Sequence, residues 1–318
     1  MRIVSLLPSA TEIVCALGLG DALVAVTHEC DYPAAARARP VVTRSLLDHS
    51  DATSEEIDDA VRGQLRDGLS LYALDRDLLS ELRPDLILTQ ALCDVCAVSF
   101  DSVCDVTAQF EGVAPKVLSL EPNSLDGILA TIVAIGAATG AELHAAELVV
   151  ALRARLARVR ERAAQIGARP RVACLEWIDP PFGPGHWLPE MIALAGGAPG
   201  LGEAGTDSRR ISWGDMIAFA PEVIVVTPCG FDLERTTAEA LRVLPHRTGW
   251  EALPAVRAGR VYVVDGNAYY SRPGPRIIDS LELLAELIHP SHFAGWGPAG
   301  AWRPLQIAAR SRGAYDGS

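Results

Sequence analysis

Short runs of branched apolar residues recur along the chain, each ending in a polar or glycine-rich break. Arg2–Leu7, Ala22–Thr27, Leu86–Thr89, Val117–Leu120, Arg171–Glu176, Glu222–Thr227 and Arg260–Asp265 read as strands. Continuous apolar runs of this length, without strict alternation, fit strands covered on both faces. Helical signals lie between them. Ser9-Ala-Thr11-Glu12 opens a helix through Leu17 that Gly18 and Gly20 close. Leu78, Leu79 and Leu82 share one face of a helix-prone stretch before the turn Arg83-Pro84-Asp85. Leu188–Ala195 is closed by Gly196-Gly197, and Ile277–Ile288 forms the last helix.

The longest periodic stretch covers residues 139–167. Apolar residues at Val149, Leu152, Leu156, Val159, Ala163 and Ile166 alternate three and four apart, with Arg153, Arg155, Arg158, Arg160 and Arg162 opposite. That pattern predicts an amphipathic helix with a solvated arginine face. Its ~26 residues span about 40 Å. Thr139 and Glu142 have the T-x-x-E spacing of a capping box. The strand–helix alternation then starts again. The expected fold is therefore α/β: two Rossmann-like lobes with mostly parallel sheets, joined by one long α-helix. The boundaries predicted are an N-terminal lobe over 1–138, the linker helix over 139–167, a C-terminal lobe over 168–290 and an irregular tail over 291–318. Trp296 and Trp302 are placed to dock that tail back onto a lobe.

Ligands of open α/β sheets bind at the carboxyl ends of the strands. The richest such end is Glu176-Trp-Ile-Asp-Pro-Pro-Phe-Gly-Pro-Gly-His186-Trp187. Candidate ligand-binding residues are Tyr32, Gln90, Glu176, Trp177, Phe182, His186, Trp187, Asn267, Tyr269, Tyr270 and Arg272, each just past a predicted strand. Aromatic walls suit a large planar ligand, and Asn267 and Arg272 suit its polar rim.

Composition narrows the function. The chain has 318 residues, too many for one small core, and a net charge of −12. An acidic protein lacks the basic stripe that nucleic acid requires. No apolar run approaches the ~20 residues of a membrane span. The N-terminus carries one basic residue, and Pro8 and Glu12 cut its apolar run, so it reads as a first strand and not as a secretion signal. The expected location is cytoplasmic, or periplasmic or otherwise extracytoplasmic if a leader has been removed. No G-x-S-x-G elbow, P-loop or dinucleotide fingerprint follows a predicted strand. An enzyme is not expected.

Seven cysteines is an odd number, and a chain of this size does not need disulfides. Cys15 and Cys174 lie in apolar runs and read as core. Cys30, Cys93, Cys96 and Cys229 lie beyond strand ends. His28, Cys30, Cys93 and Cys96 form a soft donor set for zinc or an iron–sulfur cluster, which His186 could complete across a cleft.

Taken together, Leu7-Pro-Ser-Ala-Thr-Glu12, Cys30-Asp-Tyr-Pro33, Arg83-Pro-Asp-Leu-Ile-Leu88, Asp179-Pro-Pro-Phe182, Pro221-Glu-Val-Ile-Val-Val226 and Arg272-Pro-Gly-Pro-Arg276 resemble the helix-linked substrate-binding proteins of ABC importers, especially those that bind cobalamin. The resemblance covers about residues 1–290. It implies two lobes that clamp a corrinoid, with aromatics from both lobes on the corrin ring; Phe182, Tyr269 and Tyr270 hold matching positions. Gln90 stands where the family carries a tryptophan. The resemblance also implies docking on a permease through an acidic residue on each lobe, near Asp77 and Asp215. Three readings stay open: a corrinoid-binding protein for import, a cytosolic metal- or cluster-bearing redox protein, and a haem or ferric-siderophore binder.

Overall fold

The computed structural model describes residues 1–47, 51–67, 69–90, 100–110 and 113–306, with Phe100 and Asp101 described by backbone only. The N-terminal lobe runs β1 (Ile3–Ser5), α1 (Pro8–Ala16), β2 (Leu23–Val26), β3 (Thr43–Ser45), α2 (Ser54–Arg66), β4 (Tyr72–Leu74), α3 (Arg76–Leu82), β5 (Leu86–Thr89), α4 (Phe100–Thr107), β6 (Lys116–Ser119) and α5 (Leu125–Thr139). Its sheet has the order β2-β1-β5-β6, parallel throughout. β3 and β4 pair separately and antiparallel, and they carry the excursion that contains α2.

The linker is α6 (Glu142–Ala164), shorter than the predicted 139–167. The expected capping box does not form. The Thr139 hydroxyl bonds back to the carbonyl of Ile135 at 2.7 Å, inside the last turn of α5. Gly140 then ends α5 at φ 72°, a conformation that costs glycine least. A T-x-x-E spacing thus straddles two helices, because the glycine between its members breaks the chain direction.

The C-terminal lobe runs β7 (Arg171–Leu175), α7 (Leu188–Leu194), β8 (Ala198–Pro199), α8 (Trp213–Phe219), β9 (Val223–Val226), α9 (Leu233–Val243), α10 (Pro254–Arg257), β10 (Val261–Val264), α11 (Ile277–Ile288), α12 (Pro290–Phe293) and β11 (Trp302–Pro304). The strand order is β11-β10-β9-β7-β8. All neighbours are parallel except β11, which is antiparallel to β10. The tail predicted to be irregular therefore adds an edge strand. Trp302 packs edge-on to Tyr262 at 5.3 Å, and Trp296 packs on Phe293 at 5.0 Å. Three residues are too few to carry a period, so only pairing with β10 makes them a strand.

The two lobes repeat one local device. α3 ends at Arg83 and α8 at Ala220, both left-handed (φ 42° and 48°), and each is followed by proline, an acid and a buried strand.

One apolar cluster runs through both lobes. It joins Leu125, Ile128 and Ile132 of α5 to Leu152, Val159 and Ala163 of α6. From there it continues into Leu188 and Ile192 of α7 and Leu281 and Leu284 of α11. The arginine face of α6 is only partly solvated. Arg155 pairs with Asp279 at 2.5 Å and Glu282 at 2.6 Å, and Arg158 lies 5.1 Å over the Trp296 ring. α5 meets α6 at Gly136, where an added Cβ would lie 2.5 Å from the Cβ of Ala145. Gly136→Val should force these helices apart and lower stability by about 1–3 kcal/mol. An unchanged urea midpoint would contradict this account of the packing.

Candidate functional site

Past the strand ends of the two sheets, side chains of one lobe bond to those of the other. Arg272 and Arg276 reach over from the C-terminal lobe. Arg272 is buried; it donates to Asp31, to the carbonyl of Glu29 at 3.3 Å and to Asn267 Oδ1 at 2.8 Å, with Glu12 at 3.6 Å. Arg276 grips the buried Glu12 through two hydrogen bonds of 2.9 and 2.5 Å. Asn267 Nδ2 donates to the other oxygen of Asp31 at 2.9 Å. Burial acts to raise the Asp31 carboxyl, but Arg272 and Asn267 outweigh it and hold it below its ordinary range. Each guanidinium in this network therefore already has its carboxylate.

Aromatic rings flank the network. Arg276 lies 4.0 Å over the Tyr32 ring and 5.7 Å over Tyr269. Tyr32 remains 47% exposed, so its outer face is open to a ligand. Trp177 meets Phe231 edge-on at 5.2 Å. Phe182 is half-buried and holds the loop by bridging to Trp177 and Arg210 through its backbone. Gln90 is buried at the end of β5.

Two predicted ligand contacts lie in the core instead. Trp187 and Tyr270 are buried in the cluster shared by both lobes, and the Trp187 indole N–H donates to the Tyr270 carbonyl at 2.8 Å. A strand-end position exposes a side chain only when the following loop turns outward, and these two loops turn in.

Glu176 and His186 organise their own loop. Glu176 is half-buried, and its carboxylate accepts the Gly185 N–H at 3.1 Å and the Ser208 hydroxyl. An added Cβ at Gly185 would lie 2.2 Å from the Ser208 nitrogen, so only glycine allows this approach. Burial raises the Glu176 carboxyl to about 7 against the pull of those two donors. His186 stacks on Trp187 at 5.5 Å and has a buried Nδ1 that makes no hydrogen bond. Asp207 is 3.9 Å away, but burial still lowers the His186 pKa.

The predicted metal donors do not converge among the described residues. His28 Nδ1 bonds the Thr43 hydroxyl at 2.7 Å, while the Cys30 sulfur bonds Thr11 at 3.1 Å. Burial pushes the Cys30 thiol up to about 11. Among the described residues no group of three or more His, Cys, Asp and Glu could hold a metal ion. Cys93 and Cys96 lie outside the described residues.

Asp77 and Asp215 are exposed in the first turns of α3 and α8, the repeated helices of the two lobes. Asp215 is partly committed: its carboxylate accepts the N–H and hydroxyl of Ser212 at 2.9 and 2.8 Å. Sequence reasoning missed Glu12, Asp31, Phe231 and Arg276 as cleft residues. A signal existed for Glu12, the one carboxylate in the apolar helix α1. Arg276 closes a motif already singled out for Arg272.

Glu176 gives a pH prediction. Its folded pKa is about 7, above the ~4.3 of an unfolded chain, so the folded state binds this proton more tightly. Its contribution falls as pH rises between those values, and the penalty is complete above about pH 7. Glu176→Gln should flatten the stability–pH profile across this window, by up to about 1.4 kcal/mol per pH unit relative to wild type. Denaturation midpoints from pH 4 to 8 that run parallel in both proteins would refute it.

Comparison with known proteins agrees with the fold. The family model described as periplasmic binding protein matches residues 3–268. The uncharacterized ABC transporter substrate-binding lipoprotein YvrC of Bacillus subtilis is 27% identical over 303 residues, covering 92% of this chain and 81% of that protein. A protein of Halobacterium salinarum named cobalamin-binding protein is 25% identical over 292 residues, covering 91% and 69%. Among solved structures, the periplasmic vitamin B12 binding protein BtuF of Vibrio cholerae superposes with a TM-score of 0.65 at 22% identity, covering 91% and 97%. The periplasmic heme-binding protein RhuT of Roseiflexus gives 0.65 at 23%, covering 92% and 98%.

Proposed function

The chain belongs to the periplasmic binding protein family, and from that membership we propose that it clamps a corrinoid between its lobes and delivers it to an ABC permease. Members of this family bind small molecules and make no bonds in them. The coarse role, a substrate-binding protein of an ABC importer, comes with the family; the corrinoid is our own reading.

One observation carries it: Arg272 and Arg276 are already neutralised, by Asp31 and Glu12, between aromatic rings. A corrin is a large, nearly planar ring with an amide rim and little net charge. Its amides can exchange hydrogen bonds with Asn267, Tyr32 and Tyr269 without stranding a charge. A haem brings two propionates and a ferric catecholate siderophore brings several negative charges. Either would have to displace Glu12 or Asp31 from Arg272 and Arg276, or be desolvated beside those carboxylates. The relatives named for cobalamin and vitamin B12 support the same choice.

Asp77 and Asp215 are proposed as the permease contacts, one on each lobe. We place the working protein outside the cytoplasmic membrane, as with the B. subtilis lipoprotein. No helix among the described residues is long and apolar enough to cross a membrane. A zinc- or cluster-bearing redox protein is the less favoured reading, because His28 and Cys30 bond separately to Thr43 and Thr11.

The test is a visible-absorption and co-elution titration of purified protein with hydroxocobalamin and, separately, haemin. Saturable hydroxocobalamin binding at micromolar concentration is expected, with haemin weaker. Trp177→Ala should weaken corrinoid binding about tenfold, or ~1.4 kcal/mol. Asp31→Asn should leave Arg272 short of a counter-charge and improve haemin binding relative to hydroxocobalamin. Saturation by haemin alone would replace the corrinoid with haem. Stoichiometric metal in protein purified without chelator would favour the redox reading.

A further inference from the structure

The cleft of this protein is bridged at a second place, away from the arginine network. The chain leaves the N-terminal lobe after β3, crosses to the C-terminal lobe at residues 51–58 and returns through α2 to β4. At the crossing, Ser54 is fully buried and every polar group it has goes to the other lobe. Its backbone N–H, at 2.8 Å, and its hydroxyl both donate to Glu239 Oε1. Its carbonyl accepts the Trp177 indole N–H at 3.0 Å. Two further bonds flank it, from Arg235 to the Ala52 carbonyl at 2.9 Å and from Arg210 to Asp58.

These contacts share a physical design. Ser54 is the first residue of α2, and its amide is one that the helix itself cannot satisfy. The capping box of Thr53 and Glu56 serves other donors. The first-turn amide instead receives a carboxylate from the opposite lobe, which also suits the positive end of the helix. On α9, Arg235, Glu239 and Arg242 lie four and three apart, on one face. Arg242 holds Glu239 in place with bonds of 2.8 and 2.7 Å.

A second carboxylate also caps a first-turn amide of the other lobe. Glu190 of α7 accepts the first-turn amide of α5, at Leu125, at 3.0 Å. That bond lies beside the apolar cluster that welds α5, α6, α7 and α11, where the lobes cannot part without breaking packed surface. No member of that cluster belongs to α2 or α9. The contact there is polar, and water can replace each of its bonds when the lobes open.

We propose that residues 51–58 form a strap by which the N-terminal lobe clasps Glu239, and that this clasp sets how fast bound ligand leaves the cleft. The strap also fixes the indole of Trp177, so closing the clasp and presenting one aromatic wall are a single event. Glu239 acts as a positioning residue, since its bonds run to Ser54 and Arg242 and it reaches Trp177 only through Ser54. The proposal rests on the binding function above for its ligand, but the clasp itself can be read without one.

The test uses stopped-flow release of hydroxocobalamin from wild type, Glu239→Gln, Ser54→Ala and Glu190→Gln, with amide exchange at Ser54 in the unliganded proteins. Glu239→Gln and Ser54→Ala should release ligand about tenfold faster with association unchanged. Glu190→Gln should lower the denaturation midpoint and leave release at the wild-type rate. The Ser54 amide should lose protection in Glu239→Gln while amides of the packed helices keep theirs. Wild-type release rates in both strap variants would overturn the proposal. If hydroxocobalamin does not bind wild type at all, the functional reading fails instead. The clasp then stands on lost Ser54 protection in Glu239→Gln, or falls if protection is unchanged.

Discussion

The structure depends on one continuous apolar core that belongs to neither lobe alone. α6 buries Ala145, Leu152, Val159 and Ala163 between α5 of one lobe and α7 and α11 of the other. Burying a side chain such as Leu152 or Val159 is worth roughly 1.5–3 kcal/mol. A hinge through such a core would expose several such side chains at once. This packing ties the two sheets together along the side of α6.

That constraint divides the inter-lobe contacts by kind. Beside α6 they are apolar and tight, as at Gly136. In the cleft they are ionic and hydrogen-bonded, as between Arg272 and Asp31, Arg276 and Glu12, and Ser54 and Glu239. Apolar contacts resist opening because water cannot replace them. Polar ones exchange with water at modest net cost. A binding protein that must close and reopen gains from having the second kind where it moves and the first where it does not.

The same division bears on the ligand. A cleft whose arginines are already paired offers rings, amides and hydroxyls, and little net positive charge. Such a site discriminates by shape and by matching neutral polar groups, and it penalises an anion that arrives without a counter-ion. Glu176, half-buried and raised to about 7, holds its own loop together through its donors Gly185 and Ser208.

The sequence alone determined the strands, the linker helix and the two-lobe plan. A run such as Leu86–Thr89 or Val223–Val226 has one stable destination, a covered parallel sheet, whatever surrounds it. It also singled out Asn267, Arg272 and Trp177 past the strand ends, and the fold bonds each of them to the other lobe. Tertiary structure decided the rest. It sent Trp187 and Tyr270 into the core, made an edge strand of Trp302–Pro304 and gave Thr139 to α5 in place of α6. It also brought together Glu12 with Arg276, 264 positions apart, and Ser54 with Glu239, 185 apart. Local periodicity reports which face of an element avoids water. The pairing of distant charges depends on how two lobes meet, and no local pattern records that.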